Sequence, residues 1–176
     1  MLKSAFNLGE KLKVRDIIYY LYQAQWNKYN YLDIDLSSTN WTTIKYLNAQ
    51  GNGFNADIDL VPNNTGGLYL FSIKCHVIPG ITEYPVYVGR AKLTNGQNLR
   101  KRCRDYFTKI RKDKERPLIS KMFKFWKKEL YLSWLTLDEN EEIVDLEKDL
   151  INGLLLPFNE EIPDIITREA KKAFKL

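Results

Sequence analysis

Glu147 is the side chain in this sequence most in need of an explanation. In the stretch DENEEIVDLEKDLINGLL, Ile143, Glu147 and Ile151 share one i, i+4, i+8 row and Leu146, Leu150 and Leu154 make the adjacent row. Asp145, Lys148, Asp149 and Asn152 take the outward face. A carboxylate inside an apolar stripe must be paired, protonated or coordinated, because an isolated buried charge is expensive. Periodicity alone leaves two readings open: a salt bridge to a neighbouring Arg or Lys, or a metal-binding or catalytic carboxylate. A second constellation lies in NLRKRCRDYFTKIRKD, where Leu99, Cys103 and Phe107 form a buried seam. Arg102 and Tyr106 are their own i, i+4 pair about 100° around the axis, at the border of that seam. Side chains on such a border can be held by packing and still meet a ligand. A guanidinium there is a permanent cation whose fork matches phosphate oxygens.

The surroundings of Arg102 are strongly cationic. Residues 90 to 128 hold 15 Lys or Arg against Asp105, Asp113 and Glu115, a local balance of +12, whereas the remainder carries 12 basic and 19 acidic residues, or −7. A concentrated positive field on an otherwise acidic chain is expected of a surface that faces a polyphosphate, although such a run taken alone is more often a solvated face. The interleaved Tyr106, Phe107, Phe123, Phe125 and Trp126 read more readily as core than as base-stacking platforms.

Composition agrees with a folded domain. A chain of 176 residues with 44% hydrophobic and 28% charged residues can bury one core and carry a short appendage. No apolar run approaches the roughly 18 residues of a membrane span, and the opening MLKSAFNLGEKLK lacks the apolar stretch of a signal peptide. A cytoplasmic protein is expected. Cys75 and Cys103 have neither disulfide nor zinc-pair spacing and read as reduced, packed thiols. His76, the single histidine, matches no ligand spacing.

Two regions meet at the turn-forming cluster Asn63-Asn64-Thr65-Gly66-Gly67. Residues 1–65 read as a mainly helical N-terminal extension with a packing or target-recognition role. Asn7 is a candidate cap for a helix through LGEKLKVRDIIYYLYQAQW, and Ser37-Ser38-Thr39 introduces a second helix over NWTTIKYLNAQ that stops at Gly51. The two DIDL tetrapeptides, Asp33 to Leu36 and Asp57 to Leu60, are either paired edge strands or coincidence. Over residues 66–176, GGLYLFSIKC and EYPVYVGR read as strands joined through CHVIPGIT with a Pro79-Gly80 turn. Apolar residues on both faces place them centrally in a sheet. A helix capped by Asn98, a third strand in ELYLSWLTLD and the Glu147 helix, ended by Gly153, complete the order. The fold class is α/β in the α+β sense, a small central antiparallel three-stranded sheet flanked by helices.

GLY at 67 to 69, YVG at 87 to 89, NLRKRCRDYF at 98 to 107, LEKDLI at 146 to 151 and PFN at 157 to 159 together resemble the GIY-YIG nuclease domain, in that family's order and over about 100 residues. The module occurs in intron-encoded homing nucleases, in an excision-repair incision subunit and in some restriction enzymes. The resemblance implies that Tyr69 and Tyr87 project into one pocket, with the glycines Gly67 and Gly89 allowing close backbone approach. It implies that Arg102 is the essential helix arginine, that Tyr106 stands one turn later, that Glu147 is the sole protein ligand of Mg²⁺ (or Mn²⁺), and that Asn159 steadies the site. One departure is plain: 17 residues separate Tyr69 from Tyr87 where the family usually has ten or eleven, and the extra length falls in CHVIPGITEYP.

These residue types suit phosphodiester hydrolysis, which needs an attacking water, a stabilised pentavalent anion and a stabilised leaving oxygen. Tyr69 is the first candidate for the base, with Tyr87 orienting the water or exchanging roles. An unperturbed phenol titrates near pH 10, so the role requires neighbouring cations to lower that value. The resulting expectation is a divalent-metal-dependent DNA endonuclease. Arg90, Lys92, Arg100, Lys101, Arg104, Arg111 and Lys112, with the KDKERPLISKMFKFWKK segment, are the expected DNA-backbone contacts. The rivals are a nucleic-acid-binding domain without catalysis, and an interaction protein whose acidic remainder holds a basic partner.

Overall fold

A computed structural model describes residues 2–30 and 33–173. The helices are α1 (Leu2–Lys13), α2 (Gln23–Lys28), α3 (Leu99–Arg111), α4 (Pro117–Trp126), α5 (Asn140–Leu154) and α6 (Ile165–Ala173). The strands are β1 (Thr42–Lys45), β2 (Gly66–Lys74), β3 (Glu83–Ala91) and β4 (Leu130–Leu137), all antiparallel in the order β1-β4-β2-β3.

Period-two alternation in β2 explains the layering. Tyr69, Phe71 and Ile73 point to a large core shared with Leu99, Cys103, Tyr106 and Phe107 of α3 and Ile119, Met122 and Phe123 of α4. On the opposite face Leu68 packs with Ile143 and Leu146 of α5, and Val88 of β3 packs with Ile151 and Leu156. Each fully buried side chain of this size contributes about 1.5–3 kcal/mol relative to exposure. Burial on both faces is therefore what makes β2 and β3 continuous apolar runs.

The sheet has four strands where three are expected, because the predicted second helix is instead β1. Its Thr42-Thr43-Ile44 run is β-branched and favours a pleated surface. It pairs with the otherwise unpaired edge of β4, where Thr43 Oγ1 and Ser133 Oγ lie 2.7 Å apart. Ser37 to Thr39 introduces only a single 3-10 turn, Ser38–Asn40. The first predicted helix is also divided. Asn7 lies inside α1 rather than capping it, α1 stops at Lys13, and residues 16–22 have no regular secondary structure before α2. Ile17 and Tyr19 pack from this irregular stretch onto the core, and Lys121 Nζ donates to the Asp16 backbone carbonyl and carboxylate, each at 3.0 Å.

The DIDL tetrapeptides do not pair. Asp57–Leu60 belongs to a 3-10 turn, Ala56–Leu60, whose Asn55 side chain accepts from Asp57 N at 3.0 Å, and the first copy is irregular. Gly153 does not end α5. The helix runs to Leu154 and closes on Leu155 in the left-handed region at φ 47°, while Gly153 gives room for Tyr29, whose Cβ would stand 3.4 Å from an added methyl. Asn152, expected on the outward face, is buried beneath the N-terminal segment. Gln25 Nε2 donates to the Asn152 carbonyl at 3.2 Å, and Asn152 Oδ1 accepts from Asp164 N at 2.9 Å. The β2–β3 connection is the long loop expected, with Gly80 at φ 80°. Cys75 and Cys103 are both free thiols.

Candidate active site

Three phenols make the core of the site. Tyr69 comes from β2, Tyr87 from β3 and Tyr106 from α3. Tyr106 Oη lies 2.7 Å from Tyr69 Oη and donates to Tyr87 Oη at 2.9 Å. A hydroxyl has one proton, so if Tyr106 gives its own to Tyr87, Tyr69 must donate to Tyr106. Arg102 Nε donates to Tyr69 Oη at 3.1 Å, and its Nη2 to Tyr106 Oη at 3.4 Å. Hydrogen bonds thus run in one direction, from Arg102 through Tyr69 and Tyr106 to Tyr87. The terminal phenol accepts from the chain and keeps its own proton uncommitted within it.

This order argues against Tyr69, and for Tyr87, as the first base candidate. Tyr69 is fully buried, and burial pushes its hydroxyl well above the ordinary phenol value despite Arg102; burial does the same to Tyr106. Arg102 lowers Tyr69 by less than burial raises it, which is the opposite of what the base role requires. Tyr87 is the member of the trio that lines the open cleft. Tyr106 is also deeper than a seam-border position suggests, at 2% exposure, because the sheet covers the flank of α3 that periodicity leaves at the margin.

Gly89 makes the cluster possible. It faces Tyr69 across the β2–β3 pair, and a Cβ there would stand 2.5 Å from Tyr69 Oη and 2.6 Å from its Cζ. Gly67, at φ 147°, leaves no room for a Cβ against the Leu135 carbonyl. Gly89→Ala is expected to overpack the site by about 2–3 kcal/mol and lower Tm by roughly 5–10 °C, measurable by thermal denaturation; an unchanged Tm would remove the steric account.

Glu147 reaches the same cleft from α5, on the opposite side of the sheet, around β3 as the edge strand. Both sequence readings of this carboxylate have a footing. Its Oε2 is ion-paired with Arg90 Nη1 of β3, yet it lines a cleft of about 1160 Å³ together with Tyr87, Arg102 and Lys92. Burial raises the carboxyl above its ordinary value, opposed by Arg90 and then Arg102. Among the described residues no group of three or more His, Cys, Asp or Glu comes together. A cation bound at Glu147 would have this one carboxylate and complete its shell with water and substrate oxygens, a donor set that suits Mg²⁺ or Mn²⁺. The residues fit such an ion provided Arg90 gives way.

Asn159, after α5, pins this wall. Its Oδ1 accepts from Val88 N at 3.0 Å and its Nδ2 donates to Val88 O at 2.8 Å, so the amide imitates a neighbouring strand along the free edge of β3. Phe158 N adds a bond to Val86 O at 2.9 Å. Asn159 therefore supports the strand that carries Tyr87 and Arg90.

The expected DNA contacts divide into two groups. Arg90 and Lys92 line the cleft. Arg100 and Arg104 instead hold the segment before β2. Arg100 Nε donates to Val61 O at 2.6 Å, Arg104 Nη2 to Asp59 Oδ1 at 2.8 Å, and the Arg104 guanidinium lies over Phe54. Lys101 is exposed and its Nζ donates to the Gly96 carbonyl. Arg111 and Lys112 lie at the far end of α3 beside a separate hollow lined by Phe54 and Phe107. Much of the positive charge on α3 is thus neutralised or turned away. Within the KDKERPLISKMFKFWKK segment, Pro117–Trp126 forms α4, which buries Ile119, Met122 and Phe123 in the core.

Arg116, Arg168 and Lys171 also line the cleft; Arg116 was expected to contact DNA only as part of the KDKERPLISKMFKFWKK segment, and Arg168 and Lys171 were not picked out by sequence. Arg116 is hidden in the basic run, but its place directly before Pro117, a residue favoured at the first helical position, was a legible signal of a helix entrance. Arg168 and Lys171 belong to α6 and had no such signal. Comparison with family models, with curated proteins and with solved structures finds no match to this chain.

Proposed function

We propose that the protein is a divalent-metal-dependent DNA endonuclease of the GIY-YIG kind. The single observation that carries this reading is that Tyr87, Arg102 and Glu147, drawn from both faces of one sheet, line a common open cleft with Arg90 and Lys92. The cleft is larger than the roughly 300–1,000 Å³ typical of small-molecule pockets and open at the surface, which suits a polymer.

Each residue has a chemical task. Arg102, with Nε and Nη2 braced on two phenols, presents the rest of its fork to a phosphate oxygen and stabilises the developing anion. Tyr87 Oη, the end of the phenol chain, is the atom at which the attacking water is oriented, and once the phenol has released its own uncommitted proton to solvent, the phenolate oxygen receives the water's proton. Glu147 is the residue that would hold the metal, and Asn159 keeps β3 in place. Mg²⁺ or Mn²⁺, when bound at Glu147, would supply Lewis-acid catalysis. Lys92 and Arg90 contact the flanking backbone.

A second reading has its own observation. The Arg90–Glu147 ion pair, if it never opens, leaves a nucleic-acid-binding domain without catalysis. Supercoiled plasmid separates the two. Cleavage is expected with Mg²⁺ or Mn²⁺, none with EDTA, and a loss of at least about 10²-fold in Arg102→Ala. Binding with steep salt dependence but intact plasmid under every condition would select the second reading. Absence of DNA binding at low salt would discard both.

A further inference from the structure

Arg116 stands at the entrance of α4, and two groups fix its guanidinium. Tyr87 Oη accepts from Nη2 at 3.3 Å. Glu115 Oε1 accepts from Nε at 3.5 Å and from the Arg116 backbone N–H at 2.9 Å. The Glu115 side chain is only 5% exposed and its Oε2 has no hydrogen-bond partner among the described residues, whereas the Arg116 side chain stays 42% exposed on the cleft wall. The guanidinium carbon also lies 5.8 Å from the centre of the Tyr87 ring. Nη1 makes no hydrogen bond among the described residues, so one edge of a braced fork remains for a ligand.

Arg102 holds the other end of the same phenol chain, so three linked hydroxyls lie between two guanidinia that both line the cleft. A side chain that only neutralises charge needs no such bracing; a fork held in one direction is what recognition of a tetrahedral anion requires. We infer that Arg116 is a second phosphate-binding arginine, taking a non-bridging oxygen of the substrate phosphodiester on the Tyr87 side while Arg102 takes another from the opposite end. The inference rests on the cleft being a phosphodiester site, and it names a residue that the five-motif resemblance does not include.

The test measures binding of a fluorescent DNA duplex in EDTA across a salt series, and cleavage of plasmid in Mg²⁺. Arg116→Gln is expected to weaken binding about 5–10-fold at moderate salt and to reduce the log–log salt slope by about 0.9, the signature of one lost phosphate contact. A merely structural clip would leave that slope alone. Arg116→Lys is expected to keep the slope but to cleave at least about 10-fold more slowly, because an ammonium cannot span Glu115, Tyr87 and a phosphate together.

A wild-type salt slope and cleavage rate in Arg116→Gln overturns the assignment and leaves the nuclease reading standing, as does wild-type cleavage by Arg116→Lys. Wild-type protein that binds DNA without cutting defeats the nuclease reading, while a reduced slope in Arg116→Gln still supports the phosphate contact. Should Arg116→Gln fail to fold, Arg116→Lys, which retains the charge facing Glu115, decides by its cleavage rate, or by its affinity where the wild type does not cut. Failure of the wild type to bind overturns both.

Discussion

Glu147→Gln should cleave DNA at least about 10³-fold more slowly than the wild type while remaining folded, a loss of about 4 kcal/mol of transition-state stabilisation. The amide keeps the shape of the side chain but cannot hold a divalent cation. Stability should move little, or upward. Burial raises the Glu147 carboxyl in the folded protein, so ionising it opposes folding. The penalty is absent below the unfolded-state value and fully present above the raised folded value, and Gln removes it at neutral pH. Leaving Arg90 without its partner offsets part of this gain, modestly, since that guanidinium is 36% exposed. The same shift sets the acid side of the pH profile: protons compete with the cation, so cleavage should decline at a pH above the ordinary Glu value of about 4.3. Plasmid cleavage and thermal melting across pH check all three. A Gln variant that cuts normally would end the metal-site proposal, and a steep loss of Tm would recast Glu147 as a structural ion-pair partner.

The two tyrosines of the strands should separate cleanly. Tyr87→Phe is expected to lower kcat by about 10²–10³-fold with a change in Tm of no more than a few degrees, because Tyr106 and Tyr69 keep their mutual bond. Tyr69→Phe removes a fully buried hydroxyl that serves Arg102 and Tyr106. It should cost about 1–2 kcal/mol, or roughly 3–6 °C in Tm, with kcat reduced by less than about 10-fold. Single-turnover cleavage and melting curves on the pair give the answer. The reverse order, with Tyr69→Phe inactive and Tyr87→Phe active, would contradict the directional phenol chain.

Local signals carried much of the fold and part of the site. Period-two runs located β2, β3 and β4, the Leu99-Cys103-Phe107 row located α3 with Asn98 as its cap, and the row around Glu147 located α5. The first 65 residues were read less well. Thr42 to Lys45 becomes a strand only because β4 offers an unpaired edge, and Ile17 and Tyr19, in an irregular stretch, pack on a core that their own pattern does not announce.

By itself, the sequence determined which side chains share a helix row or a strand face, because those relations depend on the 3.6- and two-residue periods of the backbone. It therefore determined that Glu147 is half-sheltered and that Arg102 stands beside Tyr106. The tertiary structure alone decided which phenol lines the open cleft, since Tyr69 and Tyr87 carry the same pattern but only one lies on the edge strand. It also decided which cations are free to bind. Arg100 and Arg104 are taken by residues 59–61, and Arg116 is aimed by Glu115 and Tyr87. Charge and exposure are settled by segments far apart in the chain, and no local period records which of them will meet.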